Sequence, residues 1–305
     1  MRRVLLWMAR NTWLRDHLPR LPFARRAVRR FMPGETSDEA LAAADALLAE
    51  GIGVLFTHLG ENLASLADAD AVVQHYHALL DRAATRPRPP EISVKLTQLG
   101  LDIDAERAFE HADGLARHAK AVGSFFWLDM EASDYVDATL AIYERLRSTH
   151  DRAGICLQAY LKRTPADVQR LLPLQPAIRL VKGAYDEPGS IAYRAKPDVD
   201  AAYLALAVVI AEAARDQGAR LALGTHDSAL IERIALMAEA SGTPRSALEV
   251  HMLFGIRASE LRRLSSAGFP AFSLVAYGEA WYAWYMRRLA ERPANVIFAL
   301  RQLLP

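Results

Sequence analysis

The chain of 305 residues is 52% hydrophobic and 24% charged, with a formal net charge of +1 at pH 7. This composition is typical of a folded globular protein and offers no general attraction for nucleic acid. A single cysteine, Cys156, excludes an internal disulfide bond and a multi-cysteine metal site. No apolar run reaches the length of a membrane-spanning helix. Together with the charge balance and the single cysteine, this leads us to expect a soluble, cytoplasmic protein without a nucleic-acid partner.

Residues 1–30 contain nine arginines but a single acidic residue, Asp16, with Trp7 and Trp13 between the basic positions. This pattern indicates an amphipathic helical extension, which we predict over residues 1–50. Two alternatives stay open for the basic segment, namely contact with an anionic lipid surface and a transit peptide. Lipid contact would place the protein peripherally at the inner face of a membrane.

From residue 51 onward, short apolar or β-branched segments alternate with helix-like stretches rich in Ala, Leu, Glu and Arg. Eight such units predict an α/β fold, a closed (βα)8 barrel of the TIM type, as one domain over residues 51–305. A doubly wound sheet is the main alternative, but no Gly-x-Gly-x-x-Gly motif follows an early strand. The predicted strands cover residues 51–59, 91–97, 125–130, 155–160, 178–184, 220–226, 248–254 and 271–277.

Helix signals occupy the intervals between these strands. We predict helices over residues 134–146, 198–217 and 227–240, and a further helix that opens at Thr164 because Pro165 suits the first turn. Four glycines precede predicted strands, where a helix-ending residue with positive φ is useful. They are Gly123, Gly154, Gly218 and Gly268.

In a barrel of this kind the active site lies at the carboxyl ends of the strands, and nearly every predicted strand delivers a polar group there. Lys95 has apolar neighbours, and a buried ammonium is costly unless it is paired. Asp129, at the end of the next strand, is its natural partner. Three interpretations of Lys95 stay open: a structural ion pair, an anion-binding group and a Schiff-base lysine.

Metal binding has little support. Asp129, Glu131 and His226 could in principle gather a divalent ion, but neither His-x-His nor His-Glu-x-x-His spacing occurs. His226 itself follows Thr225 at a strand end, where it could serve a site or merely cap the following helix. We therefore expect no metal site.

Arg287 and Arg288 are adjacent, and four aromatic residues lie just before them in the chain. A guanidinium grips a carboxylate with two hydrogen bonds, so a pair could hold a small anion in one orientation. Successive helical residues point about 100° apart. Both arginines could face one ligand only if their helix lay across a cavity.

Seven motifs at the strand ends and in the last segment occur in an order and spacing that resemble the flavin-dependent proline dehydrogenases, from about residue 51 to residue 300. The similarity extends to the monofunctional bacterial type and to the proline dehydrogenase domain of bifunctional proline utilisation proteins. The motifs are Ser93-Val94-Lys95-Leu96-Thr97-Gln98-Leu99-Gly100, Leu128-Asp129-Met130-Glu131, Leu157-Gln158-Ala159-Tyr160-Leu161, Arg179-Leu180-Val181-Lys182-Gly183-Ala184-Tyr185, Thr225-His226-Asp227, Met252-Leu253-Phe254-Gly255 and the segment containing Arg287-Arg288.

This resemblance implies a barrel whose last helix lies across the mouth and which holds FAD noncovalently. The implied reaction is the oxidation of L-proline to Δ1-pyrroline-5-carboxylate, the first step of proline catabolism, with electrons passed to membrane quinone. Transient contact between the basic segment 1–30 and a membrane would suit that acceptor.

The resemblance also implies individual roles. Arg287, Arg288 and Lys95 would bind the substrate carboxylate, and Asp129 would hold Lys95. Tyr185 would form a wall of the substrate site. Two further roles are that Glu61 pairs with the first arginine to close the site and that Arg179 lies near the flavin N5, where a cation stabilises the reduced ring. The remaining flavin contacts implied are Met130, Gln158, Val181, Lys182, Gly183, Ala184, Thr225 and His226.

One departure from the family pattern concerns the end of the eighth strand. Members that use proline usually carry Tyr-x-Pro-x-Gly there, whereas this chain has Leu274 in place of the tyrosine and Ala276 in place of the proline. A ring-modified substrate such as hydroxyproline is therefore an alternative, unless Tyr277 moves in to compensate. Two other readings are a Schiff-base lyase that uses Lys95 or Lys182, and a barrel that keeps the flavin without turnover.

Overall fold

The computed structural model describes residues 11–17, 28–60, 63–282 and 284–286. Its eight strands are all parallel, each pairs with the next in chain order, and the last pairs with the first, which closes the barrel. Closure confirms the predicted (βα)8 architecture and excludes the doubly wound sheet. The strands are β1 Gly53–His58, β2 Glu91–Val94, β3 Phe126–Leu128, β4 Ala153–Gln158, β5 Ala177–Val181, β6 Arg220–Gly224, β7 Leu248–Leu253 and β8 Ala271–Tyr277.

The α-helices flank the barrel strands and precede them at the amino-terminal end of the chain. In the described ranges they are α1 Thr12–His17, α2 Ser37–Ala49, α3 Leu66–Ala83, α4 Ala105–Ala121, α5 Val136–Arg147, α6 Thr164–Leu171, α7 Lys196–Gln217, α8 Ser228–Ala240 and α9 Ala258–Ser266. None of these helices is long and apolar enough to cross a membrane.

All eight predicted strands are present, but several end earlier than the apolar pattern indicates. β2 ends at Val94 because Lys95 begins a 3-10 turn over Leu96–Leu99. The predicted helix starts are close to the observed ones. The helix that opens at Thr164 is confirmed, and α8 begins after Asp227, whose carboxylate accepts a hydrogen bond from Leu230 N at 3.3 Å.

Three of the four glycines before strands have the expected backbone conformation. Gly123, Gly218 and Gly268 have φ of 76°, 77° and 93°, as the ends of helices require. The prediction for Gly154 is wrong, because this residue lies inside β4. A Cβ there would lie 2.5 Å from the ring of Trp127, so this glycine makes room for a large side chain inside the barrel.

Inside the barrel, the amino-terminal half is filled and closed. A buried cluster of Leu55, Trp127, Ala177, Ala222 and Phe272 fills it. Beside this cluster, Arg220 donates hydrogen bonds to Glu249 and Glu91 at 2.8 Å, and Trp127 Nε1 donates to Glu91 at 2.6 Å. A filled amino-terminal half leaves the carboxyl ends of the strands for a ligand.

A second buried cluster joins the start of the described chain to its end. Its members are Val28, Phe31, Met32, Leu59, Ala276, Trp281, Tyr282, Trp284, Tyr285 and Met286. The backbone of Arg30 passes against Gly255, where the position of a Cβ would lie 1.5 Å from the Arg30 carbonyl oxygen. Residues 28–32 therefore pack as part of the barrel mouth, beside the ends of β1 and β8.

Candidate active site

Arg179 is the central charged group inside the barrel. Its side chain extends from β5 toward β2 and the residue after β3, and it is 4% exposed. Nη2 donates a hydrogen bond to Ser93 Oγ at 2.7 Å and forms an ion pair with Asp129 Oδ1. Burial is the largest single effect and opposes the charge of the guanidinium, but Asp129, Cys156 and Glu91 together outweigh it and raise the pKa of Arg179 above its ordinary value.

Ser93 completes a triangle with these two charged residues. It is fully buried in β2, and its hydroxyl donates to Asp129 Oδ1 at 2.8 Å while it accepts from Arg179. Trp127 packs next to the triangle, with Arg179 Cζ 5.4 Å from the centre of its ring. The other terminal nitrogen of the guanidinium, Nη1, is buried and has no hydrogen-bond partner among the residues described. An unsatisfied buried donor is costly, and a bound ligand can satisfy it.

Lys95 begins the 3-10 turn after β2, with φ −90° and ψ 140°, and is partly buried. Glu131 holds this turn, since its carboxylate accepts hydrogen bonds from Thr97 N at 3.1 Å and Thr97 Oγ1 at 2.7 Å. Burial raises the pKa of Glu131. The predicted pairing of Lys95 with Asp129 stays a prediction, because the contacts seen for Asp129 are those with Arg179 and Ser93.

Gln98, in the same turn, ties β1 to β2. Its side chain is fully buried, and Nε2 donates to the carbonyl oxygens of His58 and Gly60, each at 2.8 Å. The end of β1 is thereby fixed to the turn that carries Lys95. Glu61, the predicted gate, lies outside the described residues, as do Arg287 and Arg288.

The last residue of β5 and the segment after it, from Val181 to Tyr185, are half-buried. Gly183 has φ of 121°, and a Cβ at this position would lie 2.2 Å from the ring of Tyr160. Tyr160 N also donates to Lys182 O at 2.9 Å. Both the positive φ and the close ring exclude a side chain at Gly183, so the backbone and the tyrosine ring lie directly against each other.

Lys182 is held by two carboxylates. Its Nζ donates to Asp200 Oδ1 at 2.5 Å and to Asp227 Oδ2 at 3.0 Å. Lys196 bonds to the same two acids. Sequence reasoning missed Asp200 and Lys196, although their spacing of four residues at the start of a helix is a recognised ion-pair signal.

The end of β6 is joined to β7 through His226. Leu253 N donates to His226 Nε2 at 3.2 Å, and Arg257 Nη1 donates to the His226 carbonyl at 2.8 Å. Because Nε2 accepts, the ring carries its proton on Nδ1. Thr225 is buried, and its hydroxyl accepts from Asp227 N at 3.2 Å.

Two further predicted residues lie at the ends of β3 and β4. Met130 is buried and follows Asp129 directly. Gln158 is also buried, and its Nε2 donates to the carbonyl oxygen of Glu131 at 2.8 Å. Gln158 thus connects the end of β4 to the segment after β3, and it pairs in register with Val181 at the end of β5.

Leu274 faces the barrel interior, where it packs against the cluster containing Phe272. Tyr277 does not compensate for it. The Tyr277 hydroxyl lies 2.6 Å from Nε2 of His75 on α3, outside the strands. The two positions are three residues apart, and an odd separation places side chains on opposite faces of a strand, so that expectation was wrong.

The described site residues therefore come together at the carboxyl ends of β2 to β6. Sequence reasoning missed Ser93, although it lies two residues before Lys95, a spacing that would put both on one face of the longer strand predicted over residues 91–97. Within the ranges that the structure describes, no group of three or more His, Cys, Asp or Glu side chains is arranged to hold a metal ion.

Comparison with known proteins decides the family, because the proline dehydrogenase family profile matches residues 40–301. The chain belongs to the proline dehydrogenase family. It is 31% identical to proline dehydrogenase 1 of Bacillus subtilis strain 168, over 100% of this chain and 99% of that protein. It is 34% identical to the proline dehydrogenase of Deinococcus radiodurans, over 90% of this chain and 89% of that protein.

A solved structure agrees on the fold. Proline utilization A from Bdellovibrio bacteriovorus, inactivated by N-propargylglycine, superposes with a TM-score of 0.80 at 22% identity and covers 94% of this chain. The chain spans 38% of the length of that protein. The resemblance predicted from the strand-end motifs is thus confirmed at the level of family and fold, and the family is one of enzymes.

Proposed function

We propose that this protein oxidises L-proline to Δ1-pyrroline-5-carboxylate with bound FAD. The observation that carries the proposal is the buried triangle of Arg179, Asp129 and Ser93 at the open end of a proline dehydrogenase barrel. When bound, the flavin supplies the two-electron oxidation of the carbon next to nitrogen. The protein supplies orientation and charge.

Two features of the site fit a flavin. The first is the buried Nη1 of Arg179, which has no partner in the described chain and can donate to an acceptor on the ring. The second is Gly183, whose bare backbone lets the Tyr160 ring pack directly against the segment to which we assign flavin contacts. We assign the remaining flavin contacts to the residues predicted from the family pattern: Met130, Gln158, Val181, Lys182, Ala184, Thr225 and His226.

The substrate carboxylate needs cations on the side of the substrate site that lies away from the flavin. We assign Lys95 to this role together with Arg287 and Arg288, whose guanidinium groups can each form two hydrogen bonds to a carboxylate. Tyr185, half-buried at the end of the β5 segment, would form a wall of the site. Glu61 would pair with Arg287 when the substrate is bound.

Leu274 bears on which substrate ring the site accepts. An apolar side chain faces the barrel interior at a position where members of the family usually have a tyrosine. A leucine neither donates nor accepts a hydrogen bond, and it alters the space around carbon 4 of the ring. We therefore propose 4-hydroxyproline as the second candidate substrate for the same chemistry.

The Schiff-base alternative is weaker at Lys182 than at Lys95. An amine that donates to both Asp200 and Asp227 is not presented to a carbonyl substrate. Borohydride trapping with a keto acid tests both lysines. A mass increase on Lys95 would replace the dehydrogenase proposal with lyase chemistry.

Anaerobic flavin bleaching tests the main proposal. The purified protein should be yellow, and its flavin absorbance should decrease when L-proline is added without oxygen. Proline and 4-hydroxyproline should be compared side by side, because their relative rates decide the substrate. A preparation that binds no FAD would contradict the proposal, and bound flavin that stays oxidised with every cyclic amino acid would indicate a barrel without turnover.

The arginine pair can be tested separately from the flavin. Arg288→Lys keeps the charge but loses the two-pronged geometry, so KM for proline should increase while FAD binding is retained. An unchanged KM would remove Arg288 from the carboxylate site.

We further propose that electrons pass to membrane quinone and that the protein is cytoplasmic, with peripheral contact through its basic amino-terminal segment. Val28 and Phe31 are buried in the barrel mouth, so the test must leave them in place. Replacement of Arg2, Arg3 and Arg10 by glutamine should lower activity with anionic vesicles that contain quinone and preserve activity with a soluble dye. Equal loss in both assays would contradict membrane contact.

A further inference from the structure

The hydrogen bonds of Arg179 are divided unequally between its two terminal nitrogens. Nη2 carries two hydrogens and lies within hydrogen-bond range of two acceptors, Ser93 Oγ and Asp129 Oδ1. Nη1 also carries two hydrogens, and neither has an acceptor in the described chain. The guanidinium is planar, so fixing Nη2 at two points also fixes the position of Nη1.

Ser93 is the member of the triangle that defines this orientation. The ion pair with Asp129 restrains Nη2 at one acceptor, and the Trp127 ring packs beside the guanidinium. The Ser93 hydroxyl adds a second acceptor for Nη2, and its own hydrogen is committed to Asp129 Oδ1 at 2.8 Å. Ser93 is fully buried, so water does not take over its hydrogen bonds.

We infer that Ser93 is a positioning residue for catalysis, because its hydroxyl holds Arg179 so that Nη1 is the nitrogen presented to the flavin. This inference rests on the proposed function. Ser93 lies in β2 and Lys95 directly follows that strand. One short segment would therefore position a flavin-binding cation through Ser93 and supply a substrate-binding cation directly.

Ser93→Ala tests the inference, since it removes one oxygen atom and leaves both charges in place. The midpoint potential of the bound flavin should become more negative, because the cation that stabilises the reduced ring is less well placed. We expect kcat to fall about tenfold, the size of one hydrogen bond to a charged group. KM for proline should stay within about twofold, because the carboxylate-binding residues are untouched.

Ser124→Ala is a matched control. Ser124 is also buried and lies just before β3, at the other end of the barrel, where its hydroxyl donates a hydrogen bond of 2.6 Å to the carbonyl of Pro90, just before β2. The control should lose a similar amount of stability and leave the flavin potential and kcat unchanged. Ser93→Thr keeps the hydroxyl and should restore the potential of the wild-type protein.

The outcomes separate this inference from the proposed function. If the wild-type protein binds no flavin or proline does not bleach it, the proposed function fails. If the wild-type protein bleaches and Ser93→Ala has the same potential and kcat, the inference alone is overturned. Should Ser93→Ala not fold, Ser93→Cys fills the same space with a weaker donor and acceptor. An unchanged potential in that variant also overturns the inference.

Discussion

Trp281 Nε1 donates a hydrogen bond of 2.9 Å to Glu35 Oε1, joining residues 246 positions apart in the chain. Glu35 lies just before α2, and Trp281 begins a helical segment that leads toward Arg287 and Arg288 in sequence. The indole is 1% exposed. The amino-terminal extension therefore helps to hold the start of the segment to which we assign binding of the substrate carboxylate.

Glu35→Ala should weaken both stability and substrate binding. Loss of the acceptor leaves the buried Trp281 N–H unsatisfied, which costs about 1–3 kcal/mol. We expect a lower free energy of unfolding by denaturant and a higher KM for proline. Glu35→Gln keeps an oxygen acceptor and should lie close to the wild type. An unchanged KM in Glu35→Ala would separate the extension from the substrate site.

Gly183→Ala should lower both stability and FAD binding. The methyl group meets the Tyr160 ring, and φ of 121° is unfavourable for alanine, at a cost of about 1–3 kcal/mol. Gly114→Ala is the control, because a Cβ there meets nothing within 4 Å inside α4. That change should stabilise the protein by about 0.5–1 kcal/mol. Denaturant unfolding and flavin content measure the two effects, and full FAD content in Gly183→Ala would count against the flavin assignment.

Arg220→Ala should affect stability without affecting the chemistry. The substitution leaves the buried Glu91 and the partly buried Glu249 without their cation, which costs about 3–5 kcal/mol. Because these groups lie at the amino-terminal end of the barrel, KM and kcat should stay near wild type at a temperature where the variant is folded. Lost turnover in a variant with normal stability would show that this end of the barrel takes part in catalysis.

His58 should make stability fall as the pH is lowered. Burial, with a smaller effect from His75, lowers the pKa of His58 from 6.5 to about 4. Between these values the unfolded chain binds a proton that the folded protein does not, so acidification favours unfolding. We expect the contribution of His58 to decrease stability by about 1–3 kcal/mol between pH 7 and pH 4, reduced by the partial exposure of the ring.

His58→Gln isolates that contribution, because glutamine does not titrate. Its free energy of unfolding should fall less steeply with decreasing pH than that of the wild type. His75, His77 and His251 also have lowered pKa values and contribute to both slopes, so the difference between the proteins is the quantity to measure. Identical slopes would show that His58 is not held neutral by the fold.

Much of the barrel could be predicted because the sequence patterns of its strands and helices lie within short stretches of chain. Alternating apolar strands and amphipathic helices are visible within short windows, and motifs such as Arg179-x-x-Lys182-Gly183 keep their spacing within one strand and its following loop. The exact ends of strands were less predictable. β2 stops at Val94 because Glu131, three residues beyond the end of β3, holds Thr97 in a turn, and no window around Thr97 contains that partner.

The (βα)8 fold, the family and the strand ends at which charged residues gather can all be predicted from the sequence. The partners that those residues take are visible only in the folded barrel. Asp129 binds Arg179 and Ser93, and Tyr277 binds His75 on the outer face of the barrel. Periodicity follows from local backbone geometry, whereas a hydrogen bond between strands depends on barrel closure and register, which bring together residues far apart in the chain.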